Sequence, residues 1–227
     1  MVTFGTKMND SLLEKSDESF HGPINLKKKI RITNNLTVSS LFVYANGFIT
    51  FNQPFTLAYN SIPKKLPIDS IGMVFPFWSD INVLGNGDVY YRQITDEDSF
   101  NHIKRSINQP DFKPTWAFVA TYYQVAPHTL AFGLNNTFQV ILAAESNQSF
   151  YAIFIYENIN WPELSTKQPV ESGFNLDSDH YYALSQKELS SNSNCNVPGI
   201  YVFKLNKPIT RVEPDSLISP SQTEGFN

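Results

Sequence analysis

Apolar and polar residues alternate over short runs along most of this chain, and clusters of Asn, Gly, Pro and Ser break the runs. That period of two is the signature of half-buried strands. Between positions 24 and 38, Ile30 and Ile32 alternate with charged residues before Asn34-Asn35 marks a turn. The run SLFVYANGFITF, 40–51, reads as a hairpin. Asn46-Gly47 suits the positive φ values of a type I′ turn, with β-branched and aromatic residues on either side. After a loop punctuated by Pro54, Pro63 and Pro67 comes GMVFPFWSDINVLGNGDVYY, 72–91, a strand, a polar loop and a second strand. From Thr115 to Val125 one face carries Trp116, Phe118, Ala120 and Tyr122, the other Ala117, Val119 and Tyr123. The segments 136–144 and 150–156 form a further hairpin around positions 145–148. Apolar residues on both faces predict strands covered on both sides. A last strand is expected over 200–205.

One segment has the helical period. Over residues 96–108, Phe100, Ile103 and Ile107 form an apolar stripe, and Pro110 stops it. Thr95 is the expected cap, with Asp98 three residues on; Asp96 and Glu97 suit the first turn and Lys104 and Arg105 the last. The pattern predicts a mainly β protein: an antiparallel β-sandwich-like single domain with one amphipathic helix. The expected organisation is a polar lead-in over 1–19, the β domain over 20–206 and a Pro/Ser-rich linker or tail over 207–227.

Composition narrows the function. With 41% hydrophobic and 14% aromatic residues in 227, the chain can fill a large core, while 17% charged residues leave a surface of Asn, Ser, Thr and Gln. A net charge of −4 argues against nucleic acid, whose binders cluster Lys and Arg. The basic run Lys27-Lys28-Lys29 with Arg31 reads as a solvated strand edge. Cys195 is the only cysteine, so no disulfide forms within the chain. Pairing with a segment outside it, burial and a nucleophilic role are its expected fates, in that order. The opening MVTFGTKMND lacks the features of a secretory signal, and no apolar run approaches membrane-spanning length. The expectation is either an intracellular protein or an excerpt of a longer one.

Chemistry-bearing constellations are sparse. His21, His102, His128 and His180 lack zinc spacing. Asp80, Asn82 and Asp88 surround one polar loop and Asp177 with Asp179 another. They are weak calcium candidates without EF-hand spacing, and Asx-turn bonding is the favoured reading. Glu145, Glu157 and Glu163 show no glycosidase pairing, and no GxSxG, P-loop or GxGxxG pattern occurs. No catalytic residue or cofactor is expected, and an enzyme ranks last. Trp78 and Trp116 read as core, whereas Trp161 leaves a strand and is the candidate contact residue. N-glycosylation sequons occur at Asn9, Asn35, Asn135 and Asn147, of which Asn35, Asn135 and Asn147 are the candidate acceptors. Chance alone gives about 3.5 sequons at this composition, so four do not argue for secretion.

Seven segments in order resemble the NIDO domain family. Asn46-Gly-Phe-Ile-Thr-Phe51 is similar to its "NNGxISF" strand, Phe75-Pro-Phe-Trp-Ser-Asp80 to "APFWADV", and Gly87-Asp-Val-Tyr-Tyr-Arg92 to "GxVYYRE". Pro114 to Thr121 resembles "xTWxFIATW", and Asn136-Thr-Phe-Gln-Val140 resembles "NTFQAVL". Ser172-Gly-Phe-Asn175 is similar to "AGFN", and Asn196-Val-Pro-Gly199 with Phe203 to "NVPGxWxF". The resemblance covers residues 4–206. Phe75 replaces the usual alanine, Tyr122 the tryptophan of "ATW", and Phe4-Gly5 reduces the opening "YG" box. The resemblance implies an extracellular, non-enzymatic module of matrix or cell-surface proteins such as nidogen and alpha-tectorin. Its expected role is cell–matrix adhesion or matrix assembly through protein–protein contacts, in a secreted protein or an ectodomain. The alternatives are a carbohydrate-binding, lectin-like sandwich assisted by calcium, and a structural spacer.

Overall fold

The computed structural model describes residues 1–16, 18–55, 71–107, 111–128, 133–146, 149–161, 169–177, 180–184 and 189–206. Among them the first strands are β1 (Ser11–Leu12), β2 (Phe20–Arg31), β3 (Thr37–Tyr44), β4 (Phe48–Phe51), β5 (Met73–Trp78), β6 (Ile81–Asn82) and β7 (Asp88–Ile94). The helix α1 (Glu97–Ser106) follows, then β8 (Pro114–Pro127), β9 (Asn136–Glu145), β10 (Phe150–Ile159), β11 (Glu171–Asp177), β12 (His180–Ala183) and β13 (Ile200–Lys204). One antiparallel sheet has the order β1-β7-β8-β9-β10-β13, with β6 paired to β8; the other runs β12-β11-β5-β4-β3-β2. The mainly β, sandwich-like architecture with one helix matches the sequence pattern.

The double-faced strands explain the layering. Trp116, Phe118, Ala120 and Tyr122 of β8 point into the core between the sheets, where they meet Val43, Ile49, Phe77, Phe138 and Phe154. Ala117 and Val119 point the other way, into a second cluster closed by Phe100 and Ile103 of α1 with Ile141 and Ile153. The outer face of the second sheet holds a third cluster of Phe42, Tyr44, Phe48, Phe55, Met73, Phe75 and Trp78. Burying each of these large side chains contributes about 1.5–3 kcal/mol.

Two local expectations change in detail. The hairpin joining β3 to β4 closes at the Tyr44–Phe48 pair, so its loop has three residues, 45–47. Only Gly47 of these takes positive φ (82°), as in a three-residue turn with a left-handed last position. Tertiary contacts select this form. The Asn46 carboxamide donates to Glu18 Oε2 (2.9 Å) and accepts from the Ile81 amide (3.0 Å), clamping the tip to the start of β6. Helix α1 is capped by Asp96 rather than Thr95: the Asp96 carboxylate accepts from the Ser99 amide at 2.8 Å. A carboxylate at the cap position also meets the positive end of the helix dipole, which a hydroxyl one residue earlier does not.

The first residues pack onto the β7–β9 face. The Val2 backbone exchanges two hydrogen bonds with the Gln139 carboxamide (2.9 and 3.1 Å), and Val2 is buried. Arg92 pairs with the buried Asp10 carboxylate (2.5 Å), which also accepts from the Gly5 amide. Residues 207–227, expected to be a linker or tail, lie outside the described residues.

Candidate functional site

Strand β2 ends in Leu-Lys-Lys-Lys-Ile-Arg, four cations in the five positions 27–31. Among the described residues it is the last strand in its sheet and pairs only with β3. Its register slips where the lysines lie: Asn25 faces Ser40 and Ile30 faces Val38, so five steps along β2 match two along β3. The three extra residues swell the edge outward, as bulges do. Lys27, Lys28, Lys29 and Arg31 are all exposed, and none forms an ion pair within the described residues. The Arg31 guanidinium is steadied by the following turn, donating to the Thr33 carbonyl (3.3 Å) and to Asn34 Oδ1 (3.2 Å).

This edge forms one wall of a cleft of about 730 Å³. The other wall comes from the first sheet, where β7, β8 and β9 end: Thr95, Thr115, Trp116, Glu145 and Ser146. Gln93 ties the walls together. Its carboxamide accepts from Trp116 Nε1 (3.0 Å) and donates to the Asn25 carbonyl (3.1 Å). The Glu145 carboxylate is fixed by the Lys113 amide (2.8 Å) and the Tyr151 hydroxyl (3.1 Å), the latter with its pKa raised by burial and by that carboxylate. The volume is that of ordinary small-ligand sites. Sequence reading placed the lysines on a solvated edge and Trp116 in the core. Both placements hold, but the cleft uniting them depends on the bulge and on sheet–sheet spacing. The local signal was the density of cations.

Trp161, the calcium candidates and the candidate glycan acceptors do not line this cleft. Trp161 is fully buried, contrary to the partial exposure expected of a contact residue. Its indole N–H donates to the Val125 carbonyl (3.0 Å), and its ring meets Phe77 edge-on at 5.0 Å. The cause is Asn136, itself fully buried. Its side chain accepts from the Asn160 and Trp161 amides (2.8 and 3.0 Å) and donates to the Trp161 carbonyl (2.9 Å), folding the strand exit back onto the core. Buried in this way, the indole presents no face on which a sugar could stack.

The three calcium candidates are engaged separately. Asp80 faces His128 (3.5 Å), Asn82 Oδ1 accepts from the Leu84 and Gly85 amides (2.9 and 3.2 Å), and Asp88 pairs with Lys15 (2.9 Å). The Asn82 bonds are those of the expected Asx turn. Among the described residues no group of three His, Cys, Asp or Glu side chains is placed to hold a metal ion. Cys195 is half-buried, and its backbone amide donates to the Ser193 hydroxyl oxygen at 2.9 Å. Asn35 is exposed in the turn before β3 and Asn135 is half-buried, while Asn147 lies outside the described residues. Among the described residues no helix is long and apolar enough to cross a membrane.

The model of the nidogen-like domain, NIDO, matches residues 39–207, from β3 to just past β13. The chain belongs to the nidogen-like domain family. Mouse nidogen-1 is 28% identical over 92% of this nidogen-like chain, and mouse alpha-tectorin 25% identical over 87% of it. Dendrite extension defective protein 1 of Caenorhabditis elegans is 25% identical over 90%. The chain spans 19% of nidogen-1 and 10% of alpha-tectorin. No solved structure matches it.

Proposed function

We propose that this nidogen-like domain is a non-enzymatic extracellular module for adhesion or matrix assembly, acting through protein–protein contacts. The observation that carries this reading is the family match over residues 39–207, which takes in the strands from β3 to β13 and the helix. The nidogen and tectorin relatives are extracellular matrix proteins. A contact role fits the surface: an open cleft runs along a strand edge that is unpaired among the described residues, with Phe20 exposed (45%) at the other end of the same strand. Free edges and exposed apolar side chains are ordinary docking elements for protein partners. In a secreted context Asn35, exposed in its turn, is the acceptor best presented for a glycan.

Cross-linking mass spectrometry on intact tissue matrix, with the parent protein in place, tests the reading. The expected result is a reproducible set of cross-links from this domain to specific matrix or cell-surface proteins. Cross-links confined to flanking segments of its own chain would instead identify a spacer.

A further inference from the structure

We propose that the cleft along β2 binds a sulfated glycan chain. This site goes beyond the protein-contact reading and stands on the cleft alone. Its first element is charge. Lys27, Lys28, Lys29 and Arg31 have no acidic partner among the described residues, so their fields add at the cleft mouth although the chain as a whole is negative. Clustered Lys and Arg in a short run attract polyanions, heparin-like chains among them. At about 3.3 Å per strand residue the row extends up to roughly 13 Å, a length that suits a polymer better than a single small anion. Arg31 is already held by its turn, which lowers the ordering cost of engaging a planar anionic group.

The second element is the opposite wall, which decides between kinds of polyanion. Thr95, Thr115 and Ser146 line it, and Thr115 Oγ1 donates to the Ala144 carbonyl (3.2 Å), leaving its lone pairs to accept. Glu145, held in place from two sides, adds a carboxylate. Trp116 gives an aromatic edge anchored through Gln93. A sulfated sugar offers each of these a partner: sulfates for the cations, hydroxyls for Glu145 and the Thr and Ser side chains, and a C–H group for the small exposed rim of the indole (9%). An acidic peptide matches only the cations and sets like charge against Glu145. A nucleic acid would need a longer basic surface than this one row.

The test uses the folded chain and four probes: a heparin-derived hexasaccharide, its desulfated counterpart, a polyglutamate peptide and buffer alone. Binding is followed by calorimetry and by tryptophan fluorescence. Trp116, 9% exposed, is the tryptophan that borders the cleft, while Trp78 and Trp161 are fully buried away from it, so a ligand-dependent change reports Trp116. The expected result is binding of the sulfated hexasaccharide with a fluorescence change, weakening as salt rises, and none for the desulfated chain. The triple variant Lys27→Ala/Lys28→Ala/Lys29→Ala, altered only at exposed positions, should lose about tenfold in affinity with an unchanged circular dichroism spectrum. The triple Lys→Arg variant should retain binding. Equal or tighter binding of polyglutamate, undiminished binding by the triple alanine variant, or no binding of the hexasaccharide at low salt would each overturn the proposal. The matrix cross-linking result is independent of all three outcomes, so the failure of one reading does not carry the other with it.

Discussion

At the start of α1 the Asp96 carboxylate accepts the Ser99 amide, and that bond holds its carboxyl below the ordinary range. A depressed folded-state pKa stabilises the fold fully above the ordinary carboxylate value, and the contribution is lost as pH falls through the folded one. Asp96→Ala should therefore cost about 1 kcal/mol near pH 7, and less in acid, where the wild-type cap is protonated. Chemical denaturation of both proteins at neutral and acidic pH checks this; an equal gap at both would mean the cap is not the cause. At this scale the sequence was legible in kind but not in position. It pointed to Thr95 as the cap with Asp96 in the first turn, and backbone geometry moved the cap one residue on, to Asp96. Trp161 was misread for a related reason. Nothing next to it in the chain reveals that Asn136, twenty-five residues earlier, binds its backbone from both sides.

Among the elements, the β3–β4 hairpin and α1 were legible because their signals are local: turn residues between two apolar runs, and a period near 3.6 bounded by acids and bases. The form of the hairpin loop was not, because it answers to β5. A Cβ on Gly47 would lie 1.9 Å from the Phe77 carbonyl oxygen. Gly133 takes the same φ, +82°, with nothing within 4 Å. Gly47→Ala should thus lose well over about 1 kcal/mol, whereas Gly133→Ala pays only for its backbone conformation. Thermal unfolding of the two variants side by side separates the contact from the dihedral. Comparable losses would place the whole effect in the turn. The bulge in β2 was equally hidden, since three lysines in a row look the same in a flat edge and in a swollen one.

Across the whole molecule, two tyrosines fasten the sheets together through buried hydroxyls. Tyr122 donates to the Tyr44 carbonyl (2.8 Å). Tyr156 donates to the Pro76 carbonyl (2.6 Å) and so accepts from the Ser172 hydroxyl (2.6 Å). Burial pushes both phenols well above their ordinary value. A raised folded-state pKa leaves stability intact below the unfolded value of about 10 and erodes it as pH climbs beyond, because the unfolded chain ionises first. The urea midpoint should accordingly fall above about pH 10, and less steeply in Tyr156→Phe. At neutral pH that variant should lose about 1–3 kcal/mol, since the Pro76 carbonyl and the Ser172 hydroxyl both lose a buried partner. A flat alkaline profile in the wild type would contradict the assignment.

By itself the sequence determined that this is a nidogen-like β domain with one helix: alternation, turn residues and a set of ordered segments are properties of neighbours in the chain. It also determined the supply of cations on β2. Only the tertiary structure decided where those cations act. The burial of Trp161, the distance between the two sheets and the register slip in one edge strand all depend on residues far apart in sequence meeting in space, and the last two turn a solvated strand edge into one wall of a cleft.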